Sequence, residues 1–293
     1  RAFPVLRDGG ASVARPAAWL LIAWMAWFTA SLPGLAVYGT PLVAGAAVVL
    51  AAAGGYVAWQ DRAAWGDLLR REWRTILLGE ALGLAVFAIG LWLVKWNGDV
   101  HPLAERFMDY AILRRLEFTT GFPPQDSWVS GLTLQYYYYG YTVMDCLRRL
   151  AGLSLRDFFN PALPGVYATF TMALYGAGMA VGRSRGAGLL AAAGGAVLGN
   201  YDLARQIVHA RWKSGSWKLL GLDWFHTSRV IDGTINETPA FAIFWGDLHP
   251  YLIAFPFVVL AMTVGIASLS AERHPVAGDR PRLDRVLALV LLV

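Results

Sequence analysis

The sequence is short of cysteine and short of charge. Cys146 is the only cysteine among 293 residues, which excludes an internal disulfide and a zinc site built on thiolates. Charged residues make up 15% of the chain, against roughly 25% in a soluble globular protein. None of the five histidines stands in an HExxH or HxxxH spacing, so no helical zinc motif is present. No internal repeat is visible. The first apolar segment is too long for a secretory leader and lacks its small-residue cleavage site.

What the chain has in quantity is apolar and aromatic residues. Hydrophobic residues are 57% of it and the mean hydropathy is +0.45. They gather in runs of about twenty, the length that crosses a hydrocarbon core. The sequence therefore predicts an all-α polytopic protein of the cell membrane. Thirteen tryptophans and twelve tyrosines suit two membrane interfaces. Spans are expected over 16–37, 41–59, 75–96, 161–181 and 239–269, with a short run at 186–198 and an aromatic one at 129–150. Pro33-Gly34 kinks or ends the first. The last residues, 285–293, read as a further span cut off at its start, which makes the chain a fragment.

The net charge of +5 is informative by position. Arg62, Arg70, Arg71 and Arg74 crowd one expected loop, and Arg273, Arg280, Arg282 and Arg285 another. Such clusters mark cytoplasmic loops and favour anionic lipid, so nucleic acid is not a partner. If 129–150 lies at the interface without crossing, 61–74, 183–185 and 273–285 share the inner side, and 97–128 and 200–238 the outer. The expected division is an N-terminal hairpin with its cytoplasmic loop, 1–74, followed by a core, 75–293, carrying an external loop at 97–128.

The densest polar stretch runs from Asn97 to Tyr141, directly behind an apolar run. Asp99, His101, Glu105, Asp109 and Asp126 lie in it beside Arg106, Arg114 and Arg115. Pro102 opens an expected helix to about Arg115, with Asp99 placed to cap it. Glu105 and Asp109 are four apart and stack on one face. They are either a solvated face paired with Arg106 and the following arginines, or a base and a metal or hydroxyl ligand.

A second cluster, Trp245-Gly246-Asp247-Leu248-His249-Pro250, interrupts an apolar run. Ionisable residues in such a run are costly and face a cavity or site. The alternative is an aspartate capping a helix that restarts at Pro250. The two clusters are predicted to meet in one site, with Asp247 and His249 as candidate metal ligands and His101 as a further imidazole. Four tyrosines, Tyr136 to Tyr139, form either an interfacial belt or a wall for sugar rings. Glu237, just before Pro239, is a further candidate carboxylate. Arg205, Arg211, Lys213, Lys218 and Arg229 hold a phosphate or rim the membrane. Asn236-Glu237-Thr238 matches a glycosylation acceptor by chance.

At these residues the sequence resembles the bacterial and archaeal "YYY" membrane proteins, a family of unassigned function. The resemblance rests on Glu105-Arg-Phe-Met-Asp109, Phe122-Pro-Pro-Gln-Asp126-Ser-Trp128, Tyr136-Tyr-Tyr-Tyr-Gly140, Gly199-Asn-Tyr-Asp202, Asn236-Glu-Thr-Pro239 and Gly246-Asp-Leu-His-Pro250. Where that family often reads Asp-Leu-His-Pro-His, this chain has Tyr251. The layout is also similar to the GT-C membrane glycosyltransferases: an acidic external loop carrying short helices, a Pro/Tyr-rich segment, then a span, an arginine turn and a short span.

That likeness implies transfer of a sugar from a polyprenyl-phosphate donor at the external face. Asp109, Glu105 or Asp99 would be the base. Asp247 and His249 would position the donor phosphate or a divalent metal ion. The expected substrate-binding set adds His101, Arg106, Asp126, Trp128, Tyr137, Tyr138, Arg229 and Glu237. The rival is a transporter or flippase whose broken helix lies at Asp247–His249.

Overall fold

A computed structural model describes residues 6–95, 105–199, 201–214, 223 and 225–273. Among the described residues there is no strand, only an isolated bridge between Gln125 and Thr133. The protein is an all-α bundle. Asp99, His101, Pro102 and the arginines at 280–285 lie outside the described residues, so the expectations placed on them do too.

Four helices are long and apolar enough to cross a membrane: α1 (Ala11–Ser31), α2 (Thr40–Gln60), α3 (Arg62–Val94) and the Pro250–Leu269 part of α10 (Pro250–Arg273). At 1.5 Å per residue, α1 and α2 are each about 31 Å long, one hydrocarbon thickness. Their large apolar side chains face outward: Val48, Val49 and Trp59 on α2, Leu77, Leu84 and Trp92 on α3. That inverts a soluble fold and suits a lipid surround. Hydroxyls within the helices bond back to their own backbone, Thr29 to Met25 O at 2.7 Å and Thr263 to Val259 O at 2.7 Å. These two hydroxyls therefore reach the helix surface already bonded.

One expectation is corrected and one is refined. The arginine-rich segment 61–74 is not a loop but the opening turns of α3, 33 residues in one helix. Charged side chains on a helix that has already left the hydrocarbon meet water, and nothing there breaks the helix. The expected span at 161–181 lies within α6 (Leu155–Gly182), which is long enough to cross yet is not among the four helices apolar enough. α6 is the central helix, packed by α3, α7 (Arg185–Ala193) and α10. Its Thr169, Thr171 and Tyr175 are buried in protein, so it needs no lipid-facing hydropathy.

Glycines let these helices close. A Cβ on Gly188 of α7 would come 2.7 Å from Tyr175 O, so only glycine permits the α6–α7 contact. A π-helical turn (Gly194–Leu198) continues α7 along α6.

The contacts sort the connections to two ends. At one end Arg7 pairs with Glu72 at 2.9 Å, and Arg185 donates to Thr75 Oγ1 at 2.7 Å. The N-terminal segment, the start of α3 and the α6–α7 turn therefore meet there. At the other, Tyr38 N donates to Thr120 O at 2.8 Å, joining the α1–α2 connection to the end of α4 (Arg106–Glu117). α5 (Tyr138–Ala151) stays at this second end: Tyr138 meets Trp27 at one terminus, and Arg149 reaches Leu116 O at the other. Its 14 residues span about 21 Å, too short to cross. The remaining described elements are α8 (Asp202–Ser214), a 3₁₀ turn at His226–Ser228 and α9 (Pro239–Trp245).

Candidate functional site

The second end of the bundle carries the site. Thr238 caps α9 by accepting from Phe241 N at 3.4 Å, with Pro239 in the first turn. The helix stops at Gly246, whose φ of 77° is left-handed. Glycine adopts that conformation freely, where another L residue would be strained. Asp247, Leu248 and His249 link α9 to α10, which restarts at Pro250. Leu248 plugs the core at 1% exposure. His249 O accepts from Leu252 N and Ile253 N at 3.0 and 3.2 Å, which opens the next helix.

Arg106 fixes this turn against α4 and α6. Its guanidinium donates to the Gly246 carbonyl and, at 2.8 Å, to Asn160 Oδ1, and stacks 5.5 Å from the Phe159 ring centre. It is 2% exposed. Of the face that the sequence left either solvated or functional, Arg106 and Asp109 turn inward while Glu105 stays exposed.

Glu105 Oε2 lies 2.9 Å from His249 Nδ1, and Asp109 Oδ1 lies 3.9 Å from the same nitrogen. Glu105 is the exposed member, while Asp109 is wholly buried and accepts from the Tyr141 hydroxyl. Burial pushes the Asp109 carboxyl well above the usual carboxylate range, and the facing Asp247 carboxyl pushes it further. Two carboxylates held this close share either a proton or a cation. With both ionised, Asp109 Oδ2 and Asp247 Oδ1 have no hydrogen-bond partner, and neither has His249 Nδ1, whose contact with Glu105 is close but not aligned as a hydrogen bond. Ligand atoms of Glu105, Asp247 and His249 all lie within 4.8 Å of one another. The two polar clusters of the sequence do meet.

Beside this group a cavity of about 950 Å³ opens between α1, α5 and α10. Its polar wall is Glu105, His249, Arg229 and Glu237, and its apolar wall includes Leu20, Val143, Ile253 and Phe257. Arg229 Nη1 stands 3.3 Å from Glu237 Oε1. Tyr137, Tyr139 and Tyr251 also line it, and the Tyr139 hydroxyl is buried without a partner. Tyr251, in the place of the family's second imidazole, holds its ring 5.5 Å from that of His249.

Of the sequence candidates, Glu105, Asp109, Asp247 and His249 form the cluster, while Tyr137, Arg229 and Glu237 line the adjoining cavity. Arg106 is a buried anchor. Asp126 instead holds a turn, accepting from Trp128 N and Val129 N at 2.7 and 2.9 Å, and Trp128 is exposed. Tyr138 stacks on Phe122 at 5.9 Å. Sequence reasoning missed Tyr141 and Asn160, while Tyr139 belongs to the tyrosine run that it offered as a wall. The signal for Tyr141 was present: Tyr138, Tyr141, Thr142 and Asp145 recur at helical spacing, and the last three are fully buried.

A family model, "Uncharacterized membrane protein (DUF2298)", matches residues 21–293. The chain belongs to this family. That assignment agrees with the resemblance carried by its tyrosine run and acidic motifs, and with a multi-pass membrane protein. Comparison with curated proteins and with solved structures gave no significant match.

Proposed function

We propose that this family member is a membrane glycosyltransferase of GT-C-like layout that takes a sugar from a polyprenyl-phosphate donor. The observation that carries the proposal is the cavity, which joins an acid–imidazole head to an apolar body between membrane helices. A substrate matching it has a long hydrocarbon chain and a polar, anionic head. Arg229 is placed to meet the phosphate, and the tyrosines offer ring faces and hydroxyls to a sugar.

In the reaction the acceptor hydroxyl loses its proton to a carboxylate while its oxygen attacks the anomeric carbon. The bond from that carbon to the phosphate oxygen breaks, and polyprenyl phosphate leaves. We assign the base to Asp109, in its ionised form, which the Tyr141 hydroxyl holds beside His249. It lies one helical turn behind Glu105, so the acceptor reaches it only when the exposed Glu105 side chain turns aside. His249 holds the phosphate end, and Asp247, itself an acceptor, would join it only through a cation. These residues fit a divalent ion as well, through the orphaned Asp247 Oδ1 and His249 Nδ1. Such an ion would neutralise charge on the departing phosphate.

The test is transfer from a polyprenyl-phosphate sugar in reconstituted membranes, with donor binding measured alongside. Asp109→Asn should lose roughly 10²–10⁴-fold in rate and keep its donor affinity, the mark of a group acting in the transition state. A wild-type rate would pass the role to Glu105, tested as Glu105→Gln. If neither variant changes any transfer reaction, the transporter reading replaces this one, since the helix broken at Gly246–His249 also suits a moving substrate gate.

A further inference from the structure

We propose that Glu105, Asp247 and His249 bind one divalent transition-metal ion, a site that deepens the proposed function without depending on it. Three observations converge. The first is a close contact that is not a hydrogen bond: Glu105 Oε2 and His249 Nδ1 are 2.9 Å apart, yet the nitrogen has no hydrogen-bond partner. Two ligands at right angles on an ion with bonds of about 2.1 Å stand about 3.0 Å apart, so the spacing is that of neighbouring ligands. Lone pairs that do not point at one another at this distance are free to point at a third atom.

The second observation is Asp247. Its side chain is nine-tenths buried at 6% exposure, and its Oδ1 has no partner. An ionised carboxylate in that position is unfavourable unless a cation meets it. The third is distance. The chosen atoms of all three residues lie within 4.8 Å of one another. Opposed ligands on such an ion are about 4.2 Å apart, so closing the set needs only a small rotation. Glu105, 61% exposed at its side chain, is free to make it. Its backbone carbonyl accepts from Asp109 N at 2.9 Å, so its backbone stays fixed while the carboxylate turns.

The donor set selects the metal. Two carboxylates alone would suit magnesium or calcium, but an imidazole shifts preference toward manganese, iron or zinc. Glu105 and His249 line the cavity, with Asp247 behind them, so phosphate or sugar oxygens from the cavity can complete the sphere. Asp109 stays outside this sphere, with one oxygen held by Tyr141.

The experiment uses the full chain in a non-ionic detergent, stripped of metal with a chelator and titrated with Mn²⁺ by electron paramagnetic resonance. One Mn²⁺ per chain is expected, with a ¹⁴N coupling from the imidazole in its electron spin-echo spectrum. Zn²⁺ should displace it more strongly than Mg²⁺. Asp247→Asn and His249→Gln should each weaken binding at least 10-fold, since even partners outside the sphere are worth 10–100-fold. Asp67→Asn, on the exposed start of α3 at the other end of the bundle, should leave the affinity unchanged. No bound Mn²⁺ above the detergent blank, or bound Mn²⁺ without ¹⁴N coupling, overturns the proposal, and neither result depends on any variant folding. Undiminished binding by Asp247→Asn and His249→Gln does so too. Binding is read without substrate, so a failed glycosyltransferase assay leaves a positive result standing. Transfer that persists in chelator beside absent binding removes only the metal.

Discussion

Asp145 and Asp109 are both fully buried carboxylates at the same end of the bundle, one on α5 and one on α4. Asp145 has both oxygens engaged. Oδ1 takes Arg148 Nε and Nη2 at 2.9 and 2.8 Å, and Oδ2 takes Arg149 Nε at 2.7 Å and the Tyr38 hydroxyl at 2.8 Å. Arg149 lies over the Tyr38 ring and donates to Leu116 O and Glu117 O, while Arg148 also faces Glu117 Oε1 at 3.4 Å. Charge is balanced, and three chain segments are locked together. The Asp109 group is the reverse, with three carboxylates converging on one imidazole and buried atoms left without partners. A balanced cluster holds structure. An unbalanced one is kept at a cost in stability, and its deficit points to a ligand.

The largest expected effect tests that contrast directly. Asp145→Ala strips the counter-charge from two buried guanidinium groups and should cost roughly 3–5 kcal/mol, as breaking one partner of a buried pair does. Asp109→Asn removes a carboxylate from a crowd of them and should leave stability within about 1 kcal/mol of wild type, or raise it. Thermal unfolding in detergent compares the two. Equal destabilisation would mean that Asp109 is as structural as Asp145, and the functional reading of its cluster would lose its basis.

A smaller effect separates backbone strain from the site. Gly246→Ala places a Cβ where φ is 77° and should cost roughly 1–2 kcal/mol. Because this turn sets Asp247 and His249, Mn²⁺ affinity should fall with it. Gly34→Ala is the matched control: φ is 75° and nothing lies within 4 Å of the added carbon. It should cost a similar amount of stability and leave Mn²⁺ binding untouched. A parallel loss of affinity in both variants would show that general loosening, not the α9–α10 turn, controls the site.

The two clusters were unequally legible in the sequence. Asp247 and His249 announced themselves because ionisable residues inside an apolar run need a reason to be there. Glu105 and Asp109 followed from their helical spacing. That Asp145 would pair with Arg148 and Arg149 was also written in a spacing of three and four. Yet the partners that bury the arginines, Tyr38 and Glu117, come from distant segments. The apolar runs placed the membrane helices well. They misjudged α3, since arginine density marks the end of the hydrocarbon but not the end of a helix. They did mark α6, whose lower hydropathy follows from its place among other helices rather than against lipid. Tyr141 was hidden by its neighbours: in a run of tyrosines only the fold decides which one turns inward.

The smallest expected effect concerns a third cluster, balanced like that of Asp145 but closer to the surface. Asp202, from the Gly199-Asn-Tyr-Asp202 motif, begins α8 and accepts from Arg205 Nε at 2.8 Å and Gln206 Nε2 at 2.7 Å, and it lies 2.9 Å from His226 Nδ1. Gln206 in turn bonds the backbone of Asp223 through both amide atoms. The cluster therefore ties Asp223 and the His226–Ser228 turn to α8. Burial by itself would raise the Asp202 carboxyl, but the hydrogen bonds from Gln206, His226 and Arg205 outweigh it and hold the group down at about 2. A carboxyl held below its unfolded value stabilises the fold fully above that unfolded value, about 3.9, and the contribution fades as pH falls toward 2. Arg205 and His226 remain half open to solvent or more, so the total should be below about 1 kcal/mol. Asp202→Asn should accordingly unfold at a slightly lower temperature than wild type at pH 7. The difference should hold down to about pH 4 and close as the pH approaches 2. If it stays constant to pH 2, the carboxylate's charge contributes nothing and the turn is held by neutral hydrogen bonds alone.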